Sequence, residues 1–494
     1  MVAKLKNKYS SLPVQVRASL WFLITNFLQK AMSVISTPIF TRLLTTEQYG
    51  QYSVFASWMS IITVIVTLNI SYGVLLQGMI KFEDDANVFT SSLQGLTLAM
   101  CSGWSIVYFI FRDFFNQLFG LNTLQMCFMM VLIWTTTAFY FWATEQRVKN
   151  QYRLMVVVLL FVTVAHPLLG VICVYLAEAD YKVTVRILAM VVINVIAYSW
   201  CFFVQMKRGK KFFSKKYWLY ALKFNLPLVP HYLSQTLLYS SDRIMISRYL
   251  GESEAGIYSL AYSVAMIMTM LSVSINQTMS PWVYRKIKER RAQDIAGVEY
   301  SAMLIIAAAN IMLIILAPEA IAVFAPKEYQ EAIWIVPPVA LGMFFMFMYD
   351  MFEPFQFYFE KSLFIMAASV SGALLNIVLN YFFISPRWLN LGYMAAGYTT
   401  LICYILYALG HYICMRWVCR KHMDNVRVYD VKILLGISVG CIAVGLLVML
   451  TYQLPVVRYS LVGVSALAVV IFRKPLIAYG KKLLSIRRSA KENQ

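Results

Sequence analysis

The chain of 494 residues is 60% hydrophobic and 13% charged, with a formal net charge of +20 and a mean hydropathy of +0.66. A soluble chain of this length carries about twice that share of charge, so the composition excludes an ordinary soluble enzyme or binding module. The basic excess does not point to nucleic acid either, because Lys and Arg cluster in short segments between apolar runs, as membrane topology requires.

The N-terminal stretch "MVAKLKNKYSSLPVQVRASLWF" has basic flanks but no cleavage site after a short apolar core, and reads as a cytoplasmic tail. About fourteen apolar runs then follow, each long enough to cross ~30 Å of hydrocarbon as a helix. Their expected limits are 18–41, 52–76, 93–111, 123–143, 154–177, 184–205, 219–247, 256–280, 299–317, 331–352, 362–384, 391–415, 432–452 and 457–476. The fold class is therefore an all-α polytopic membrane protein, since only helices satisfy their own backbone groups in lipid without a closed barrel. Nearly all eight cysteines fall inside these runs, with no CxxC and no zinc spacing, so neither disulfides nor a metal site nor any other cofactor is expected.

Charge sets the orientation. With the N-terminus inside, the cytoplasmic segments include "RVKNQYR" (147–153), "KRGKKFFSKK" (207–216), "YRKIKERR" (284–291), "RWVCRKH" (416–422) and "RKPLIAYGKKLLSIRR" (473–488). Together with both tails they hold about thirty Lys and Arg, against far fewer outside. The outward cations are Arg42, Arg112, Lys182, Arg248, Lys327, Arg387 and Arg458. No connection is long enough for a soluble domain, so the activity is expected within the membrane.

An internal repeat organises the spans. "TRLLTTEQYGQYSV" (41–54) aligns with "SRYLGESEAGIYSL" (247–260) at a constant offset of 206, pairing Arg42 with Arg248, Gly50 with Gly256, Tyr52 with Tyr258 and Ser53 with Ser259. Asn69 near the end of span two pairs with Asn276 near the end of span eight at an offset of 207. Each copy joins the first two spans of a six-span block. An even number of spans separates the copies, so this is a parallel repeat, with a site expected between its halves. The expected organisation is a six-helix bundle over 1–216, a second over 217–422, and two further helices with a basic cytoplasmic tail over 423–494.

The stretch "RASLWFLITNFLQKAMSVISTPIFTRLLTTEQYGQYSV" (17–54) resembles the opening of the polysaccharide transporter flippases, which include O-antigen and capsule-unit flippases. "LPLVPHYLSQTLLYSSDRIMISRYLG" (226–251) is similar to the family's seventh span, and "LAPEAIAVFAPKEYQEA" (316–332) and "ALLNIVLNYFFISPRWLNLGYMAAGYTT" (373–400) to later segments. In the last, "RWLNLGYMAAG" replaces a shorter glycine turn. The resemblance covers essentially the whole chain. It implies a MATE-like fold and transport of a lipid-linked oligosaccharide.

Several polar residues sit inside spans. Asn26, Lys30, Ser33 and Thr37 share one face of span one, and Lys30 lies at mid-depth, about 18 Å into a ~30 Å span. A lysine there is awkward to snorkel and marks a pathway by default. The bland alternative is pairing within the bundle. In span seven His231, Gln235, Tyr239 and Asp242 share a face with Arg243 at its border, while Pro227 and Pro230 should bend its cytoplasmic end. Spans one and seven are equivalents in the repeat. Lys30 and Arg243 are thus the candidate anion-binding charges of a central cavity, with Asp242 either offsetting Arg243 or forming a structural pair with it. Asn26, His231, Gln235, Asn69 and Asn276 complete the candidate substrate-binding set; a lone histidine such as His231 is more often a satisfied bundle residue. Asp350 and Glu353 in span ten, one turn apart before Pro354, are candidates for coupling to H+ or Na+, unless the helix ends early and leaves them solvated. Asn376 and Asn380 read as interhelical hydrogen-bonding residues.

These features point to a flippase of the bacterial inner membrane that moves polyprenyl-pyrophosphate-linked oligosaccharide between leaflets by alternating access, with polysaccharide assembly proteins as further candidate partners. A multidrug or cation antiporter is the first alternative, and its site should be acidic and aromatic. A membrane glycan polymerase or ligase is the second, and it should carry a large outward loop with catalytic residues. No Walker A sequence, HExxH or glycine-rich nucleotide loop supports an enzyme or an ATP-driven pump.

Overall fold

The computed structural model describes residues 14–471 and 473. The described residues are predominantly helical and contain no strand. They divide into two compact units, one ending at Ser240 and the other beginning at Ser241.

In chain order the first unit holds α1 (Val14–Leu43), α2 (Thr46–Thr67), α3 (Val74–Lys81), α4 (Ala86–Ile110), α5 (Arg112–Phe119), α6 (Thr123–Val148), α7 (Tyr152–Leu176), α8 (Lys182–Gly209) and α9 (Lys215–Asn225). The helix α10 (Val229–Tyr249) carries the boundary. The second unit continues with α11 (Glu252–Ala265), α12 (Ile267–Lys288), α13 (Ile295–Ile315), α14 (Ala317–Phe324), α15 (Val336–Tyr358), α16 (Ser362–Ile384), α17 (Met394–His422), α18 (Val431–Met449) and α19 (Pro455–Ile471).

Among the described residues, ten helices are long and apolar enough to cross a membrane, or eleven if Lys327–Trp334 and α15, bent by 48°, count as one span. The chain is a multi-pass membrane protein. The sequence count of about fourteen also included the positions of α1, α10 and α19. The first two are long helices of 30 and 21 residues. Both carry polar stripes that lower their apolar content, and α19 is a shorter apolar helix of 17 residues.

The expected span 219–247 is interrupted. The chain passes from α9 through a tight turn of helix at Leu226–Leu228 into α10, where Pro227 and Pro230 withhold backbone donors. Span two also ends sooner than expected. Leu68 and Asn69 both adopt left-handed backbone, with φ of 47° and 53°, and this stops α2 before the chain re-enters helix at Val74. Asn225 reaches back to this break, its Nδ2 donating to the Leu68 carbonyl at 2.6 Å.

In lipid, helices associate through close packing and polar contacts rather than through exclusion of water. Small residues let backbones approach. Gly342 on α15 faces the Tyr404 ring of α17, 3.2 Å from where a Cβ would stand, and Gly397 on α17 faces Pro338 of α15 at 3.0 Å. In the first unit, Phe139 of α6 stacks on Tyr198 of α8 at 4.2 Å, and Trp142, Met155 and Cys201 join the same buried cluster.

Candidate functional site

The polar stripe of α1 is found on the accessible side of the helix. Asn26, Lys30 and Ser33 are exposed and Thr37 is half-buried. The packed side is opposite: Ala18 lies in a buried cluster with Tyr152 and Val156 of α7, and Thr25 is buried with its hydroxyl donating to the Trp21 carbonyl at 2.8 Å. At about 100° per residue Lys30 stands roughly 140° round the helix from Thr25. Its ammonium is therefore directed away from the interior of its own unit.

On α10, His231, Gln235, Tyr239 and Arg243 are each half-buried, whereas Asp242 is fully buried. Neighbouring helix positions point about 100° apart, and Asp242 and Arg243 accordingly meet different surroundings. Asp242 accepts at Oδ2 from the Tyr258 hydroxyl at 2.5 Å and from Thr400 Oγ1 at 2.8 Å. Its Oδ1 accepts from Asn380 Nδ2 at 2.6 Å. Three neutral donors from α11, α16 and α17 thus hold the carboxylate. The Arg243 guanidinium lies 4.4 Å from the centroid of the Tyr262 ring, a cation–π geometry in which the ring face attracts the cation.

The network extends further. Ser241 Oγ donates to Asn376 Oδ1 at 2.9 Å, Asn380 Nδ2 also reaches Asn376 Oδ1 at 3.3 Å, and Thr399 donates to Asn380 Oδ1. Asn376 and Asn380 are interhelical hydrogen-bonding residues, as their spacing suggested.

The two repeat-related asparagines differ in role. Asn69 sits at the helix break after α2. Asn276 lies inside α12, where its Nδ2 donates to Asp350 Oδ2 of α15 at 2.5 Å. Asp350 and Glu353 lie within α15, which runs on to Tyr358, so the helix does not end before them. The aligned serines make the same local bond. Ser53 donates to the Tyr49 carbonyl at 2.9 Å and Ser259 to the Ala255 carbonyl at 2.6 Å.

Three buried charges escaped sequence reasoning. Arg186 of α8 is 9% exposed and its guanidinium lies 3.4 Å from the Tyr52 ring centroid and 3.8 Å from that of Phe40. Glu299 is buried in α13 and accepts from the Tyr429 hydroxyl. Glu145 of α6 is buried and accepts from Lys149 Nζ at 2.5 Å, Gln205 Nε2 at 2.7 Å and Arg208 Nη1 at 3.2 Å. A lone charge inside an apolar run was the available signal for Arg186; Glu145 and Glu299 stand at run ends, where a charge is unremarkable.

Comparison with known proteins gives the family. The model described as "Polysaccharide biosynthesis protein" matches residues 16–287, and the MatE model matches residues 227–382. An Lsg locus protein of Haemophilus influenzae is 30% identical over 111 residues, which are 22% of this chain and 28% of that protein. The chain thus spans under a third of that relative's length. Among solved structures, the lipid II flippase MurJ in an inward closed conformation is similar with a TM-score of 0.69 at 14% identity, covering 92% of this chain and 100% of that one. An inward-facing multidrug resistance MATE family transporter of the MOP superfamily is similar with a TM-score of 0.59 at 13% identity, covering 80% and 96%. These likenesses give the fold, which is that of MurJ and the MATE transporters. The family model spans more than half of the sequence, and the chain belongs to the polysaccharide biosynthesis protein family.

Proposed function

We propose that this protein is a flippase of the bacterial inner membrane that carries polyprenyl-pyrophosphate-linked oligosaccharide across the bilayer by alternating access, with both termini cytoplasmic. The observation that carries the reading is the pairing of cations with the repeat. Lys30 and Arg243 stand on equivalent spans, and Lys30 is exposed in mid-span, where a cation in lipid would be costly. On the translocation path these two charges bind the pyrophosphate, and polar neighbours such as Asn26, His231 and Gln235 contact the sugars. An antiporter of organic cations is less well supported, because the charges placed at the proposed site, Lys30 and Arg243, are cationic and would repel such a substrate.

The test is reconstitution in vesicles with a defined polyprenyl-pyrophosphate oligosaccharide, following its movement between leaflets. Lys30→Ala and Arg243→Ala should each slow transport about tenfold or more, the loss expected from one charge-assisted contact. Lys30→Arg keeps the charge and should be tolerated. Arg243→Lys gives up both the bidentate fork and the guanidinium contact with the Tyr262 ring, and should not. Wild-type rates in both alanine variants would defeat the anion-site reading; transport of an organic cation instead would favour the antiporter.

Orientation is tested separately. A cysteine placed at Phe212 in a cysteine-free background should resist an impermeant thiol reagent in intact cells and react once the membrane is opened. Labelling from outside would reverse the assignment.

A further inference from the structure

The predicted cytoplasmic end of the first unit contains a cavity of about 510 Å3 that no step of the transport reading uses. It draws on four helices: Arg17 from α1, Trp142 and Gln146 from α6, Arg153 from the start of α7, and Trp200 and Arg208 from α8. Among the described residues, no carboxylate lines it. Arg208 is paired with Glu145 at 3.2 Å, and Arg17 and Arg153 bring two further guanidinium groups to the lining.

Two further observations point to an anion. The N-terminus of α7, a helix of 25 residues, opens on this cavity at Tyr152 and Arg153, and no side chain caps it. Its first backbone N–H groups are a ready-made anion cradle. Gln146 also lines the cavity; it is 4% exposed, and its Nε2 donor has no hydrogen-bond partner among the described residues. A buried donor left unmade is costly, and an acceptor entering the cavity would relieve it. The two tryptophans give the same cavity an apolar wall.

From this arrangement we infer that the cavity binds the phosphate of a membrane lipid. The guanidinium forks, the Gln146 amide and the helix N-terminus take the phosphate oxygens, and the adjoining hydrocarbon lies along Trp142 and Trp200. Basic recesses between membrane helices at the cytoplasmic surface suit lipid headgroups on general electrostatic grounds, and the size falls within the ordinary range for ligand pockets. The inference does not depend on what the protein transports. The phosphate can come from an anionic phospholipid or from a polyprenyl diphosphate, and the experiment separates the two.

The full chain would be placed in phosphatidylcholine nanodiscs, and binding of added phosphatidylglycerol measured by native mass spectrometry. Arg17→Ala/Arg153→Ala should weaken retention about tenfold or more, whereas Lys207→Ala, a neighbouring cation outside the cavity, should leave it unchanged. Arg17→Lys/Arg153→Lys keeps the charge but not the fork and should fall between them. A photoreactive phosphatidylglycerol on the wild-type chain should cross-link to peptides within 142–153 and 200–208, a readout that needs no variant to fold. Displacement by polyprenyl diphosphate at lower concentration would make the carrier lipid the occupant; failure to displace would make it the phospholipid. Equal retention by wild type and all variants, with cross-links spread over the basic surface, would overturn the site.

Discussion

Asp242→Ala should destabilise the second unit by about 2–4 kcal/mol, because the substitution strips a buried acceptor from three donors at once. The Tyr258 hydroxyl, Thr400 Oγ1 and Asn380 Nδ2 come from three different helices and converge on this one carboxylate. Hydrogen bonds between membrane helices average only ~0.6 kcal/mol, since an unfolded chain in the bilayer finds other partners. Here the acceptor is a fully buried carboxylate, which raises each bond above that average. Asp242→Asn is the informative companion. Its amide oxygen can still accept from Asn380, and its NH2 can donate to hydroxyls that turn to receive it, so the cost should be near ~1 kcal/mol. Unfolding in mixed detergent micelles reads both variants. An alanine variant as stable as wild type would show that the network does not tie α10 to its neighbours. An asparagine variant that is well folded yet inactive would show that the charge itself is used in transport.

That outcome also bears on how much the sequence disclosed. Apolar runs and charge asymmetry made the helical membrane architecture legible, because span length and loop charge are properties of contiguous sequence. The polar stripes of α1 and α10 were equally legible, since a helix puts every third or fourth residue on one face. The partners of those residues were not. Asp242 and Arg243 are adjacent in sequence, but nothing in their neighbourhood along the chain names the other helices that meet the carboxylate. The carboxylate turns to residues 16, 138 and 158 positions away. The repeat had the same limit. It aligned Asn69 with Asn276, yet one ends a helix through its backbone and the other works through its side chain. The arginine cavity of the first unit draws on four helices, and no single stretch carries its signature.

Asp350→Asn should abolish the response of transport to an ion gradient while leaving the protein inserted and folded. Pro354 lies four residues further along α15. A proline has no N–H to give the carbonyl of residue i−4, so the Asp350 backbone oxygen is released from the helix ladder. Asp350 therefore presents a side-chain carboxylate and a freed carbonyl at one turn of helix, with Glu353 less than one turn on. The Nδ2 of Asn276 at 2.5 Å fixes one carboxylate oxygen from α12. Such a cluster in a membrane helix can take up a proton or coordinate a small cation. Asn leaves the steric outline and a carbonyl acceptor for Asn276 intact but removes the exchangeable charge, so folding should be retained and coupling lost. Asn276→Ala keeps the charge and removes only its orientation; it should shift the gradient needed for half-maximal transport rather than eliminate the response. Glu353→Gln distinguishes a shared site from a single carboxylate. The measurement is initial flipping rate in vesicles with imposed H+ or Na+ gradients of either direction. If Asp350→Asn/Glu353→Gln follows the gradient as wild type does, the driving ion binds elsewhere or transport runs without one.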